Sequence, residues 1–291
     1  MKPAPFRYHD PRAVAEATGL LASLENARVL AGGQSLMPMM NFRYAMPDHV
    51  VDLNRIGELA YLRFAGETLR VGAMTRQRDI EFSSDVGERC PLLHEALAHV
   101  GHRQTRNRGT FGGSVCHLDP SAELVNVTAL LDGTLHAVSA GAARAIPMSE
   151  FAAGFMTTSL EPDELLEGVT LRLPPVGAGH AFVEFARRHG DFAIVACSAV
   201  VVLGRSGAIT SARVAISGLG HCPIRPAAIE RALGGEQPGA AAFKAAAAEA
   251  GKLDALSDAY VTADYRKHLA RVLTFRALEQ ASARAAEHVY A

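Results

Sequence analysis

Two loops that each contain adjacent glycines constrain this sequence more than any other feature. The first reads AGGQS at residues 31–35, and the second reads TFGGS at residues 110–114. Glycine lets backbone N–H groups approach a ligand because no side chain intervenes. A helix is predicted to begin at Ser35, and its N-terminus would add partial positive charge. One such loop is typical of a tight corner, but two in one domain indicate a site for a long ligand with a central diphosphate.

Strand-like and helix-like patterns alternate through the first 175 or so residues. Apolar residues at helical spacing or in short β-rich runs define these elements, and turn residues separate them. The predicted helices lie at 11–27, from 35 onward and at 91–100, an apolar segment lies at 122–131, and the predicted strands lie at 27–30, 50–53, 59–64, 68–71 and 134–138.

A Pro- and Gly-rich segment at residues 174–179 predicts a domain boundary. Beyond it, three strand patterns, at 181–187, 194–203 and 214–217, are followed by helical patterns at 226–233, 240–250 and 260–281. Strands that are segregated from helices indicate an α+β domain. The sequence therefore predicts two domains, 1–176 and 177–291, and the first of these divides into subdomains of about 1–57 and 58–176.

Charge and apolar content exclude several classes of protein. The 29 Lys and Arg residues nearly balance the 30 Asp and Glu residues, which argues against a nucleic-acid role. The longest apolar run, residues 192–203, is too short to span a bilayer, so no membrane span is expected. The N-terminus lacks the apolar stretch of a signal peptide, and we therefore expect a cytoplasmic protein.

Several common catalytic and metal signatures are absent from the sequence. The four cysteines, at positions 90, 116, 197 and 222, show no close spacing, which argues against an iron–sulfur or zinc centre built by this chain alone. There is no complete GxGxxG, no phosphate-binding GxxxxGK[ST] and no GxSxG. Accordingly, no catalytic residue and no metal ligand is predicted.

Two long motifs carry a family resemblance. AGGQSLMPMMNFR at 31–43 and RNRGTFGGSVCHLDPSAE at 106–123 together resemble the FAD-binding, or medium, subunit of the molybdenum hydroxylases. This is the family of xanthine dehydrogenase and aerobic carbon monoxide dehydrogenase. The resemblance continues through 185–202 and 265–281, so it covers nearly the whole chain.

The resemblance implies a fold and a cofactor. The expected architecture is a vanillyl-alcohol-oxidase (PCMH)-type FAD-binding domain of two α/β subdomains, followed by a smaller α+β domain with an antiparallel sheet and helices. One FAD would bind non-covalently. By carry-over, its contacts would be Ala31, Gly32, Gly33, Gln34, Ser35, Leu36, Val100, Thr110, Phe111, Gly112, Gly113, Ser114, Asp119, Glu123, Leu166 and Phe192. Relatives often carry Asp at the position of Glu123, and some carry Lys near that of Glu184.

The resemblance also implies partners. A large subunit would hold the molybdopterin cofactor, a small subunit would hold two [2Fe-2S] clusters, and the complex would be a dimer of heterotrimers. Electrons would pass from those clusters to the FAD of this chain and then to an external acceptor. Two alternatives stay open: a stand-alone flavin oxidoreductase of the same fold, and a cofactor-free scaffold or assembly protein.

Overall fold

The computed structural model describes the backbone of residues 1–289. Its first part is a small parallel sheet. Its three strands run in the order β1-β3-β2, and each outer strand pairs in parallel with the central one. Ala17, Leu21 and Val51 are buried between the sheet and its first helix. The elements of this part are β1 (Arg7–His9), α1 (Val14–Ser23), β2 (Ala27–Leu30), α2 (Leu36–Asn41) and β3 (His49–Asp52).

A five-stranded antiparallel sheet forms the second part. Its order is β4-β5-β10-β6-β7, so the last strand of this part, β10, inserts at the centre. The five strands are β4 (Leu62–Ala65), β5 (Thr68–Gly72), β6 (Thr134–Val138), β7 (Ala143–Pro147) and β10 (Leu165–Arg172). The predicted hairpin between β4 and β5 forms, and Gly66 occupies its turn with φ +55.

Seven short helices and a small β-ribbon accompany this sheet. Apolar residues of α5, α7 and α8 form one continuous core with the sheet. The helices are α3 (Gln77–Glu81), α4 (Ser84–Arg89), α5 (Pro91–Leu97), α6 (Arg103–Arg108), α7 (Phe111–His117), α8 (Glu123–Leu130) and α9 (Met148–Phe151), and the ribbon consists of β8 (Ala152–Gly154) and β9 (Thr157–Thr158).

The C-terminal part is a three-stranded antiparallel sheet with helices packed on it. The strands are β11 (Gly179–Phe185), β12 (Val195–Leu203) and β13 (Ile209–Ser217), in that spatial order. Their helices are α10 (Ala227–Leu233), α11 (Ala240–Ala250) and α12 (Ala263–Val289). Helix α12 crosses the sheet, and at Gly179 it comes so close that a Cβ atom would lie 1.8 Å from the carbonyl oxygen of Ala281.

The structure extends or corrects several predicted elements. The second glycine pair does not form a loop, because Gly112 and Gly113 lie in the first turn of helix α7. Strand β13 starts earlier than predicted, and strands β7 to β9 had no clear signal in the sequence. Within residues 1–289, none of the helices combines the length and the apolar composition needed to cross a lipid bilayer.

A buried polar network joins α8 to the C-terminal sheet. The side chain of Asn126 is fully buried and donates to the carbonyl oxygen of Ala215 (3.3 Å) and to Oγ of Ser217 (3.1 Å). Ser198 donates to Oδ1 of Asn126. Because these groups satisfy one another away from water, they fix how the two parts of the chain pack.

Candidate functional site

A cavity of about 750 Å³ lies at the carboxyl ends of β2 and β3, the edge at which open α/β sheets usually bind ligands. Three stretches supply most of its lining: residues 26–36, residues 105–123 and residues 156–166. Phe192, from the loop between β11 and β12, adds an aromatic side chain that is 57% exposed. The size of the cavity is that of a site for a large organic ligand.

The first glycine loop presents unused backbone donors to this cavity. Within the described part of the chain, the amides of residues 32–36 donate no hydrogen bond to a protein acceptor. Gly33 has φ +74, a conformation that favours glycine. The side chain of Gln34 donates to the carbonyl oxygen of Gly32 (3.0 Å), which orders the loop. Free amides around a glycine turn suit an anion such as a diphosphate.

The backbone amides around the second glycine pair are not free, in contrast to the prediction. Its amides already have acceptors: Phe111 donates to Thr75 (3.0 Å), Gly112 to Ala73 (2.9 Å) and Gly113 to Oγ1 of Thr110 (3.0 Å). The expectation that both loops offer free amides is therefore wrong for the second. A Cβ atom at Gly112 would lie 2.6 Å from that of Ala73, so this glycine permits close packing instead.

The two glycine segments touch directly. A Cβ atom at Gly32 would lie 2.3 Å from the carbonyl oxygen of Arg108, two residues before the second segment. The guanidinium of Arg76 donates to that same oxygen and to the side chain of Asn54. Asn54 in turn donates to the carbonyl oxygen of Ala31 (3.0 Å). Arg76 and Asn54 thus bridge the segments, a role that their isolated positions in the sequence did not signal.

The structure brings nearly all the predicted contact residues to one cavity. The exception is Phe111, which is fully buried in the core and does not line the cavity. Val100 and Leu166 are buried and form part of the apolar wall. The predicted residues that line the cavity are Ala31, Gly32, Gly33, Gln34, Ser35, Leu36, Val100, Thr110, Gly112, Gly113, Ser114, Asp119, Glu123, Leu166 and Phe192.

Several titratable side chains line the cavity. Glu123 begins helix α8 and is only 3% exposed, and burial raises its pKa to about 7. Burial likewise lowers the pKa of His117, which favours its neutral form. Oδ1 of Asp119 accepts from the amide of Ser121 (2.8 Å), which shapes the turn before α8. Glu184 does not line the cavity.

One wall of the cavity was not predicted from the sequence, apart from Leu166. Residues 156–166 run along it from β9 to β10, and Glu164 of this segment pairs with Arg144 (2.6 Å). Arg144 also donates to the carbonyl oxygen of Ser159 (2.7 Å). Tyr44 and Met46 line another side and are largely exposed. Only a run of polar residues around Pro162 marked this wall in the sequence.

Sequence profiles of known families match this chain over nearly all of its length. The profile described as the FAD binding domain in molybdopterin dehydrogenase matches residues 4–174, and that of the CO dehydrogenase flavoprotein C-terminal domain matches residues 180–281. The chain belongs to the FAD-binding medium subunits of the molybdenum hydroxylases. The predicted family and its α+β fold, an FAD-binding domain followed by a smaller C-terminal domain, are therefore confirmed.

Individual members of this family resemble the chain along its whole length. It is 38% identical to the 6-hydroxypseudooxynicotine dehydrogenase complex subunit alpha of Paenarthrobacter nicotinovorans, with 98% of this chain and 97% of that protein covered. It is also 38% identical to the caffeine dehydrogenase subunit beta of Pseudomonas sp. (strain CBB1), with 98% and 97% covered. These relatives are oxidoreductase subunits, as predicted for this chain.

A solved structure shows the same fold. A chain of the carbon monoxide dehydrogenase of Hydrogenophaga pseudoflava, in a form that lacks the Mo-pyranopterin moiety of the molybdenum cofactor, superposes with a TM-score of 0.94. The two chains are 35% identical, and the match covers 98% of this chain and 99% of that one.

Proposed function

We propose that this chain binds one FAD non-covalently in the cavity and transfers electrons from the [2Fe-2S] clusters of a small partner subunit to an external acceptor. A large subunit of the same complex would hold the molybdopterin cofactor and the organic substrate. The observation that carries this proposal is the set of unused amides at residues 32–36, which face a cavity large enough for a dinucleotide.

The residues of the cavity fit FAD in chemical type. Amides of the first loop would donate to the diphosphate, while the absence of side chains at Gly32 and Gly33 leaves room for its oxygens. Glu123 would lie against polar groups of the cofactor. Val100, Leu166 and Phe192 would cover the flavin ring system, because they supply the apolar and aromatic surface of the cavity.

When bound, FAD supplies a centre that accepts electrons and delivers them to an acceptor. The chain's own contribution is to hold and partly shield it. Buried Val100 and Leu166 exclude water from one side, while the exposed Phe192 and Tyr44 leave another side close to solvent. An edge near solvent is what an external acceptor requires.

The chain's cysteines are consistent with clusters that reside on a partner. Burial raises the pKa of Cys90, Cys116 and Cys197 to about 12, which disfavours the thiolate that an iron–sulfur cluster needs. The names of the relatives support a substrate that binds to another subunit of the complex. Their names include a nicotine derivative, caffeine and carbon monoxide, although their flavin subunits resemble this one to a similar degree.

Purification of the chain alone and with its partners tests the proposal. The isolated chain should show the absorbance of oxidised flavin, and acid should release intact FAD. Substrate should bleach this absorbance only after the large and small subunits are added. Bleaching by substrate without partners would instead establish a stand-alone oxidoreductase, and a colourless chain that takes up no FAD would establish a scaffold.

Size measurement of the reconstituted complex tests its assembly. Light scattering should give the mass of a dimer of heterotrimers. A stable complex that lacks one of the three subunits would contradict that part of the proposal.

A further inference from the structure

The C-terminal part of the chain reaches the cavity through a single side chain. Among the residues that the structure describes, Phe192 is the only one after residue 176 that lines the cavity. It belongs to the loop between β11 and β12, and it is 57% exposed. A planar ligand gains most from an aromatic ring whose backbone is already fixed, because less freedom is lost on binding. The way this loop is held therefore decides what Phe192 contributes to the site.

The base of the Phe192 loop is closed by its own backbone. The amide of Ile194 donates to the carbonyl oxygen of Phe185 (2.7 Å), so the loop leaves and rejoins the sheet at one point. Helix α12 packs against this base, where the ring of Tyr265 lies edge-to-face against that of Phe185 with 6.3 Å between the ring centroids. The start of α12 is therefore in a position to hold the loop.

Arg266, the next residue of α12, binds the loop base directly. Its Nη1 donates to the carbonyl oxygen of Ile194 (2.7 Å) and to that of Gly218 (2.6 Å), just after β13. Its Nη2 donates to Oδ2 of Asp258, and the side chain of Arg266 is only 12% exposed. A planar guanidinium can bind three acceptors in a fixed arrangement, whereas an ammonium group on a flexible stem presents a single point charge.

Gly218 ties the loop base to another wall of the cavity. The amide of Gly218 donates to the carbonyl oxygen of Pro120 (3.0 Å), and the neighbouring Asp119 lines the cavity. Gly218 also packs against Ile194, since a Cβ atom at Gly218 would lie 2.3 Å from the carbonyl oxygen of Ile194. Its φ of +83 favours glycine. Contacts therefore run unbroken from the turn before α8 to the base of the loop.

A cation–π contact attaches the loop to the same cluster a second time. The guanidinium of Arg187, in the loop, lies 4.7 Å from the ring centroid of Tyr260. The amide of Tyr260 in turn donates to Oδ1 of Asp258 (2.7 Å), whose other oxygen accepts from Arg266. The carboxylate of Asp258 thus fixes both the guanidinium of Arg266 and the segment on which the loop rests.

We propose that Arg266 is a positioning residue for the cofactor, which holds Phe192 against the flavin ring and so limits the access of water to that ring. This inference rests on the proposed function. Arg266 does not line the cavity within the described part of the chain, so it acts through the loop. Reduced flavin carries a negative charge at neutral pH, and water stabilises that charge. A loop held in place therefore keeps the reduction potential lower than a loose loop would.

The test is a spectroelectrochemical titration of the FAD-loaded full chain. Arg266→Lys keeps the positive charge but loses the planar arrangement of donors, so the potential should rise by up to about 30 mV, a tenfold change in the equilibrium constant of a two-electron couple. Phe192→Ala should raise it at least as much. Arg276→Lys is the matched control, because Arg276 is an exposed residue of the same helix, and it should keep the wild-type potential.

The double variant separates positioning from a general structural role. If Arg266 acts through Phe192, then Arg266→Lys should change nothing in the Phe192→Ala background, and the double variant should have the potential of Phe192→Ala alone. An equal rise in both backgrounds would show that the arginine acts by another route and would overturn the inference. A wild-type potential in Phe192→Ala would overturn it as well.

Gly218→Ala tests the same junction without a change at the guanidinium. Its Cβ atom would push away the carbonyl group of Ile194, so the potential should rise in this variant too, and again only while Phe192 is present. Gly220→Ala is the control, since a Cβ atom there meets nothing within 4 Å. If Arg266→Lys does not fold, then Gly218→Ala decides by the same comparison with Phe192→Ala.

Failure of this inference is separable from failure of the proposed function. A wild-type chain that takes up no FAD overturns both. FAD-loaded Arg266→Lys and Gly218→Ala chains that keep the wild-type potential overturn the positioning role alone, because FAD uptake by the wild-type chain still supports the proposed function.

Discussion

The backbone at Gly32 lies against the carbonyl oxygen of Arg108, with no room for a side chain between them: a Cβ atom at residue 32 would lie 2.3 Å from that oxygen. This contact closes the cavity at the point where its two glycine segments meet. Since the obstructing atom belongs to the backbone, it cannot rotate away as a side chain would. The spacing of the two segments therefore depends on the absence of one methyl group.

Replacement of Gly32 by alanine should separate the segments and weaken FAD binding. We expect a loss of affinity of at least about tenfold, or about 1.4 kcal/mol, because the amides at 32–36 would move relative to the opposite wall. Titration of the apo chain with FAD, followed by flavin fluorescence, measures this. Gly57→Ala is the matched control, since a Cβ atom there meets nothing within 4 Å. Equal affinity of both variants would contradict the expectation.

Replacement of Asn126 by leucine should destabilise the whole chain. The hydroxyls of Ser198 and Ser217 and the carbonyl group of Ala215 would lose their buried partner. The expected cost is about 2–4 kcal/mol of unfolding free energy, measured by urea denaturation. Asn107→Leu, at an exposed position, should change it by less than about 0.5 kcal/mol. A cost at Asn126 as small as that at Asn107 would show that the network adds little.

The buried carboxyl of Glu123 should make stability fall as pH rises. Its pKa is raised from 4.5 to about 7, so between these values the folded chain binds more protons than the unfolded chain. Stability from this group is therefore present at low pH and decreases by about 3 kcal/mol as pH rises through 7. Glutamine cannot titrate, so the stability of Glu123→Gln relative to wild type should rise over the same interval. Urea denaturation at several pH values measures this difference, and a pH-independent difference would contradict the assignment.

Thiol reactivity should distinguish Cys222 from Cys90 and Cys197. Burial raises the pKa of Cys90 and Cys197 to about 12, so at pH 8 only about one in ten thousand of these thiols is ionised. Cys222 is half-buried, whereas Cys90 and Cys197 are buried. With iodoacetamide, peptide mapping should find Cys222 modified before Cys90 and Cys197, which should react only after unfolding, and Cys222→Ser should remove its fast phase. Rapid labelling of Cys197 in the folded chain would contradict this.

Local patterns were enough to predict much of this fold. Apolar periodicity located α1, the high alanine content located α11, and turn residues located the β4–β5 hairpin, because these elements depend on neighbours in sequence. The motif at 31–43 also predicted a cavity wall, because a second glycine motif occurs in the same domain. These signals are carried by residues that lie close together along the chain.

Features that depend on distant residues could not be predicted in this way. The side chain of Thr110 accepts a hydrogen bond from the amide of Gly113, and this cap starts a helix where the glycines alone suggested a loop. The contact between Glu184 and His99 joins residues 85 positions apart, with no pattern to mark it. The wall at 156–166 likewise depends on where β10 enters its sheet.

Most of the cavity wall comes from three stretches of the chain that are far apart in sequence, so a ligand bound there stabilises the fold. A molecule seated there touches the loop after β2, the turn before α8 and the approach to β10 at once, so none of these can open before it leaves. At a free concentration one hundred times its dissociation constant, such a ligand adds about 2.7 kcal/mol to the free energy of unfolding. The supply of the dinucleotide in the cell would thereby govern how long each newly made copy survives proteolysis.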